Sequence, residues 1–146
     1  MSRLIARSLG AAALAGAAAL LLLTGCGGQD LAPAEAQPDD ATLHQDIAQD
    51  RSGAEVTFDG NLVAGPSVSN GHQRLYVRTG SGDLIEVDHN ISLASQVPAH
   101  QGDRVVVRGQ LYIDSPTRIG VHCTHRDTSR GCPVPGFIVY QGHTYA

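Results

Sequence analysis

The sequence has no lysine and no tryptophan, and phenylalanine and tyrosine together supply only 4% of its residues. Ten arginines carry all the fixed positive charge against fourteen acids, for a formal net charge of −4. Domains that bind nucleic acid usually show a basic excess, and those that bind single strands interleave it with aromatic platforms. Both are missing, so nucleic acid is not an expected partner. Internal repeats are absent too. The one extended apolar run, from about Leu9 to Leu23, is roughly fifteen residues long, short for a bilayer span and suited to the core of a signal peptide.

Arg3 and Arg7 precede that run, and Leu23-Thr24-Gly25-Cys26 ends it. An aliphatic residue, two small residues and a cysteine resemble the bacterial lipoprotein signal. Residues 1–25 are therefore expected to be removed, and Cys26 to carry the acyl chains that tie the protein to a membrane. Two or three chains hold a protein where one holds it only marginally. Residue 27 is Gly, not the Asp of the inner-membrane retention cue, which points to the outer membrane, its periplasmic face or the cell surface.

Without residues 1–25 the chain keeps eight arginines and all fourteen acids, a net charge of −6. Residues 27–50 hold six acids and no base, while residues 51–146 hold eight of each. Residues 26–38 read as the lipidated cysteine and a flexible acidic tether of Gly, Ala and Pro. Residues 39–146 suffice for one small core.

Once Cys26 is lipidated, two cysteines remain, Cys123 and Cys132, in a compartment where disulfides persist. Their spacing is not a usual zinc-knuckle spacing, so a disulfide is expected. Closing so short a loop stabilises a fold by about 2–3 kcal/mol on the chain-entropy model.

In residues 39–53, Asp39 or Asp40 can cap a helix, Leu43 and Ile47 stand one turn apart, and Gly53 suits the C′ position. Beyond Gly53 the apolar period becomes two. Val56, Phe58, Leu62 and Ala64 share a face, with Gly60 as a bend. Leu75 and Val77 oppose His72, Arg74, Tyr76 and Arg78, and TGSGD turns into LIEVD. GDRVVVRGQLYI is the longest strand, IGVHCTHRD the fifth, and FIVYQGHTY a closing hairpin about Gln141-Gly142. The expected fold is mainly β: a small OB-like β-barrel of five to six strands with one short N-terminal helix. A split sandwich is the competing architecture.

A set of motifs carries a resemblance. His72-Gln73-Arg74, His89-Asn90-Ile91, Gly102-Asp103-Arg104-Val105 with Gly109, Val121-His122 with Thr124-His125 and Asp127, and Gly136-Phe137-Ile138 with Gly142 and Tyr145 resemble a family of small bacterial exported domains of unknown function. The resemblance covers about residues 43–146. It implies an OB-like barrel and an envelope location, and no activity. The chain departs from the family pattern at Cys123, where tryptophan is expected, and at Cys132, near an expected histidine. At the disulfide a covalent link thus replaces an aromatic contact.

Three sites can be drawn from these residues. On a strand, Val121, Cys123 and His125 face one way and His122, Thr124 and Arg126 the other. His122 and His125 then cannot share a metal, whereas Asp127 can orient the His125 imidazole. A divalent metal of the zinc class would have to use His89, His125 and Asp127, at a barrel mouth where the same groups could instead satisfy buried backbone. The second site is an outer face of His72, Arg74, Tyr76 and Arg78, joined by Arg104, Arg108 and His122. OB barrels bind oligosaccharides or oligonucleotides there, but Glu86 and Asp88 are placed to pair with its arginines. The third, a nucleophilic centre, finds no support: Ser115 sits in a turn, and the acidic calcium cluster of the nucleases that share this barrel is missing. The leading reading is a binding or structural module with an envelope ligand or protein as partner and no required cofactor; the alternatives are a metal-dependent, hydrolytic site at the barrel mouth and single-strand nucleic-acid binding through Arg74, Tyr76 and Arg108.

Overall fold

A computed structural model of the chain describes residues 37–129 and 131–146. The expected signal segment, Cys26 and the expected tether as far as residue 36 lie outside the described residues. Helix α1 (Asp40–Ala48) is followed by β1 (Glu55–Leu62), β2 (Ser67–Ser69), β3 (His72–Thr79), β4 (Leu84–Asn90), β5 (Arg104–Ser115), β6 (Arg118–His122), β7 (Phe137–Tyr140) and β8 (His143–Tyr145).

Five of these strands close on themselves. β1 pairs with β3, β3 with β4, β4 with β6, β6 with β5, and β5 returns to β1. Only the β4–β6 pairing is parallel. Counting the barrel strands alone, the circuit runs first, second, third, fifth, fourth and back to first, which is the topology of a small OB-like barrel and not of a split sandwich. β2 extends β3, and the β7–β8 hairpin extends β5. Gly60 is the hinge of closure, paired at once with Thr79 and Val105. A Cβ there would stand 2.8 Å from Val77 Cγ1 and run into the Arg78 carbonyl. The bend expected at Gly60 exists because two backbones meet on one residue.

The period-two pattern lands as read. Phe58, Leu62, Leu75, Val77, Ile85, Val87, Val105, Val107, Leu111 and Val121 fill the interior, with Ile138 from β7. Ala64 is a correction: β1 ends at Leu62, and Ala64 is exposed. Val97 and Ala99 are buried in the same core. Their loop is held by Gln73, whose amide donates to Val97 O and accepts from Val97 N, both at 2.8 Å. A side chain thereby supplies the two bonds of a missing strand.

Helix α1 is capped by Asp39, which accepts from Thr42 N at 2.9 Å. Leu43 lies in the core and Ile47 packs against it. The expected C′ glycine is a second correction. Asp50 takes the left-handed conformation (φ 54°), and Arg51 N and Asp50 N bond back to Asp46 O and Ile47 O. These are the two bonds of a Schellman motif, so Gly53 (φ 94°) serves the turn into β1 instead.

β2 is the strand the alternation does not announce, since all three of its residues are exposed. Its turn does announce it. Asn70-Gly71 (φ 50° and 76°) makes a two-residue hairpin from Ser69 to His72, as Gln141-Gly142 (49° and 77°) does from Tyr140 to His143. Asn-Gly is a strong sequence signal for such turns. Cys123 and Cys132 form the expected disulfide, with Cα atoms 5.4 Å apart.

Candidate functional site

The outer surface of β3, β4, β6 and β5 carries one connected polar network. Register sets Tyr76 beside Glu86, Glu86 beside Gly120, and Gly120 beside Tyr112. Gly120 has no side chain, so the Tyr112 ring lies across β6. A Cβ on Gly120 would strike that ring and the Glu86 carbonyl. Tyr112 then reaches β4, donating to Glu86 Oε1 at 3.2 Å, while Tyr76 donates to Oε2 at 3.1 Å. One carboxylate is clamped between two phenols. Arg118 Nη2 stands 3.8 Å from it and Arg74 Nε 3.7 Å; Arg74 Nε also donates to Asp88 at 3.0 Å.

This packing has electrostatic consequences. Burial, reinforced by Asp88 and Glu86, pushes the Tyr112 phenol far above the ordinary tyrosine range. Burial and the bond to Glu86 raise Tyr76 as well. Both phenols therefore stay protonated and act as donors. The Arg118 guanidinium sits 5.8 Å from the Tyr112 ring centre, and the His122 ring meets it edge-on at 5.8 Å.

Of the residues expected on this face, Arg74, Tyr76 and His122 are part of it, and His122 donates from Nε2 to Gln110 Oε1 at 3.2 Å. His72 lies further along β3 on the same side, its Nδ1 donating to Asn70 O. Arg108 does not join them. It is paired with Thr57 and Phe137, beside Glu55, in the strip between β1 and β7. Arg104 is likewise taken by Asp59 at 2.7 Å. Tyr112, Arg118 and Gly120 escape a reading by single strands, because only the β4–β6–β5 register brings them to Glu86. The ion pairing expected of Glu86 and Asp88 is present, with Arg118 in place of Arg104 and Arg108.

The histidines of IGVHCTHRD do diverge, for a reason different from the one expected. β6 stops at His122, and Cys123 turns left-handed (φ 58°). The chain leaves the sheet there. His122 stays exposed and His125 is buried, but Thr124, expected outside, is fully buried as well. Its hydroxyl meets His89 Nδ1 at 2.8 Å, and His89 Nε2 meets Ser95 O at 2.9 Å. A carbonyl only accepts, so Nε2 carries the proton and Thr124 donates to Nδ1. Both ring nitrogens of His89 are thus spent on joining the loop after β4 to the loop after β6.

His125 Nε2 lies 3.6 Å from Cys132 Sγ, and its buried Nδ1 has no partner. Asp127 therefore does not orient that nitrogen; its carboxylate accepts from Ser129 N. His89, His125 and Asp127 are not gathered, and among the described residues no three His, Cys, Asp or Glu side chains are placed to hold a metal ion.

Burial holds the His89 imidazole below the ordinary histidine value, with His125 and His72 adding to the depression against the bonds to Ser95 and Thr124. The unfolded chain takes its proton near pH 6.5, the folded chain only lower. Stability is thus complete above about pH 6.5 and is lost as pH falls through the depressed folded value. His122 is exposed as a whole, but its ring is partly covered where it meets Tyr112; that desolvation holds it low and acts in the same direction. Thermal melts from pH 7.5 to 5 should show the midpoint falling with acidity, and less steeply in His89→Gln. Parallel slopes in the two proteins would remove His89 from this role.

Fold and face together define a small OB-like barrel with a polar outer network centred on Glu86. The chain belongs to the family described as "Protein of unknown function (DUF3465)", whose model matches residues 29–146. No curated protein matches it. Among solved structures, the crystal structure of the S. pombe Stn1-ten1 complex contains a chain 19% identical, with a TM-score of 0.39. That match covers 47% of this chain and 52% of the other, so it spans about half of the neighbour's length.

Proposed function

We propose that the protein is a non-catalytic binding module of the cell envelope, tethered through acyl chains on Cys26, that takes its ligand on the β3–β4–β6–β5 face. The observation that carries this reading is the Glu86 clamp. Two half-exposed tyrosine rings are fixed by one carboxylate and flanked by Arg74, Arg118 and Asp88. A face whose rings are already immobile loses little entropy on binding.

The chemistry favours a neutral polyhydroxylated ligand, such as an oligosaccharide. Sugar hydroxyls both donate and accept, matching guanidinium and carboxylate side by side, and sugar rings lie on aromatic faces. A polyanion is served less well, because Arg74 and Arg118 are already neutralised by Glu86, Asp88 and Asp114. The proposed export and anchoring rest on the sequence around Cys26.

Amide-resolved NMR titration with a soluble N-acetylhexosamine oligomer tests the ligand class. Shifts should concentrate on β3, β4 and β6, and Tyr112→Ala should weaken binding at least about tenfold, or 1.4 kcal/mol. No shifts with the sugar, together with oligothymidylate binding that weakens steeply with salt, would replace this reading with a nucleic-acid one. Failure of Cys26→Ser to shift the protein from the membrane to the soluble fraction would end the anchoring proposal.

A further inference from the structure

His125 is a buried imidazole with no structural task. It is 4% exposed, its Nδ1 is bare, and its Nε2 faces only the Cys132 sulfur, a weak acceptor. His89 offers the contrast, with both nitrogens spent. The backbone around His125 is nonetheless fixed: its carbonyl accepts from Gly136 N at 2.9 Å. Burying an imidazole with one bare nitrogen costs about 1–3 kcal/mol, and the other nitrogen, Nε2, is the one turned toward the sulfurs and open to a ligand.

The distance to the disulfide indicates which ligand. Zinc binds thiolate sulfur at about 2.3 Å and imidazole nitrogen at about 2.0 Å, so two such donors on one tetrahedral ion stand roughly 3.5 Å apart. Cys132 Sγ and His125 Nε2 stand 3.6 Å apart. Cys123 is on the same spot, since its sulfur is bonded to that of Cys132. With the disulfide closed only His125 is a potential ligand, consistent with no metal cluster among the described residues. Opening it supplies two more donors beside the first.

We propose that the Cys123–Cys132 disulfide masks a redox-gated metal site, in which the reduced protein binds a zinc-class ion through Cys123, Cys132 and His125. The reductant is a dithiol. One of its thiolates attacks a protein sulfur to give a mixed disulfide, and its second thiol closes the reductant's own disulfide, leaving two protein thiols for two electrons. Binding the ion then expels one proton from each thiol, while neutral His125 contributes a nitrogen lone pair and water completes the tetrahedron. Oxidation of the two thiolates by a disulfide oxidant releases the ion. The site shares no residue with the proposed binding face, so either can fail without the other.

The test uses the full chain carrying Cys26→Ser, so that no third thiol competes. Reduced anaerobically with a phosphine and titrated with cobalt(II), an optical stand-in for zinc, it should bind one equivalent. Thiolate-to-cobalt charge transfer and tetrahedral ligand-field bands should appear, and zinc should displace them. The oxidised protein should show neither. His125→Ala and His125→Gln should weaken binding by more than the roughly 10–100-fold that outer-shell changes cost, while His89→Gln leaves it intact. If reduction unfolds the chain, cobalt should restore its circular dichroism with the same stoichiometry. Absence of charge transfer in the reduced protein, folded or not, overturns the proposal. So does equal affinity without the His125 imidazole.

Discussion

Gly120→Ala should destabilise the protein by about 2–3 kcal/mol, the upper part of the range for forcing extra volume into a packed site. An added Cβ meets two obstacles of different kinds. The Tyr112 ring is the end of a flexible side chain and can swing away. The Glu86 carbonyl cannot, because it belongs to β4 where β4 runs parallel to β6, and that pairing closes the barrel. Relief must come from opening the shortest ladder in the circuit. At roughly 4–8 °C per kcal/mol for a domain near this size, the melting midpoint should fall by about 10–20 °C.

Tyr112→Phe separates the two obstacles. It keeps the ring over Gly120 and removes only the phenol that donates to Glu86, so its cost should stay within about 1.5–3 kcal/mol, the range for a bond to a charged acceptor. Ligand binding on the face should weaken in both variants, because Tyr112 is displaced in one and unpinned in the other. Urea denaturation of the three proteins is sufficient. A Gly120→Ala protein within about 0.5 kcal/mol of wild type would mean that β4 and β6 are not packed as closely as described.

The second large effect belongs to the disulfide. Replacing Cys123 and Cys132 together by alanine should cost about 2–3 kcal/mol, the chain-entropy value for a loop of this length. Reduction of the wild-type protein in the presence of a chelator should lower its midpoint by the same amount and leave the double variant unchanged. The loss should be local at first. The bridge anchors the segment that carries Thr124, so amide exchange should quicken at Thr124 and His125 before it does in β3 or β4. Reduction that leaves the wild-type midpoint in place would show that barrel packing alone holds this loop.

Much of this fold was written in single strands. In β3, β4 and β5 as far as Leu111 the inward and outward residues follow the alternation, because one face of each strand meets the core and the other meets water. Asp39 caps its helix by a contact three residues away, and the cysteine pair follows from counting once Cys26 is set aside. β2 went unread: with all its residues exposed there was no apolar pattern, and only Asn70-Gly71 marked its turn.

The misses share one cause. Thr124 is buried because Cys123 is left-handed, a conformation that a cysteine does not announce. Asp50 closes helix α1 where Gly53 was the natural candidate. Arg108 and Arg74 both point outward, yet on strips of the barrel that do not adjoin. Glu86 was identifiable as an ion-pair partner and not as a hub, since its two tyrosines come from strands on either side of it.

The sequence by itself determined most of the strands, which side of each faces inward, where the helix begins and which cysteines join. Those features depend on neighbours one to four positions away and on the partition of side chains between core and water. The tertiary structure alone decided that Tyr112 crosses Gly120 to reach Glu86, and that His89 is saturated while His125 is left with a bare nitrogen. Such contacts depend on inter-strand register and on one left-handed residue, and neither leaves a periodic trace along the chain.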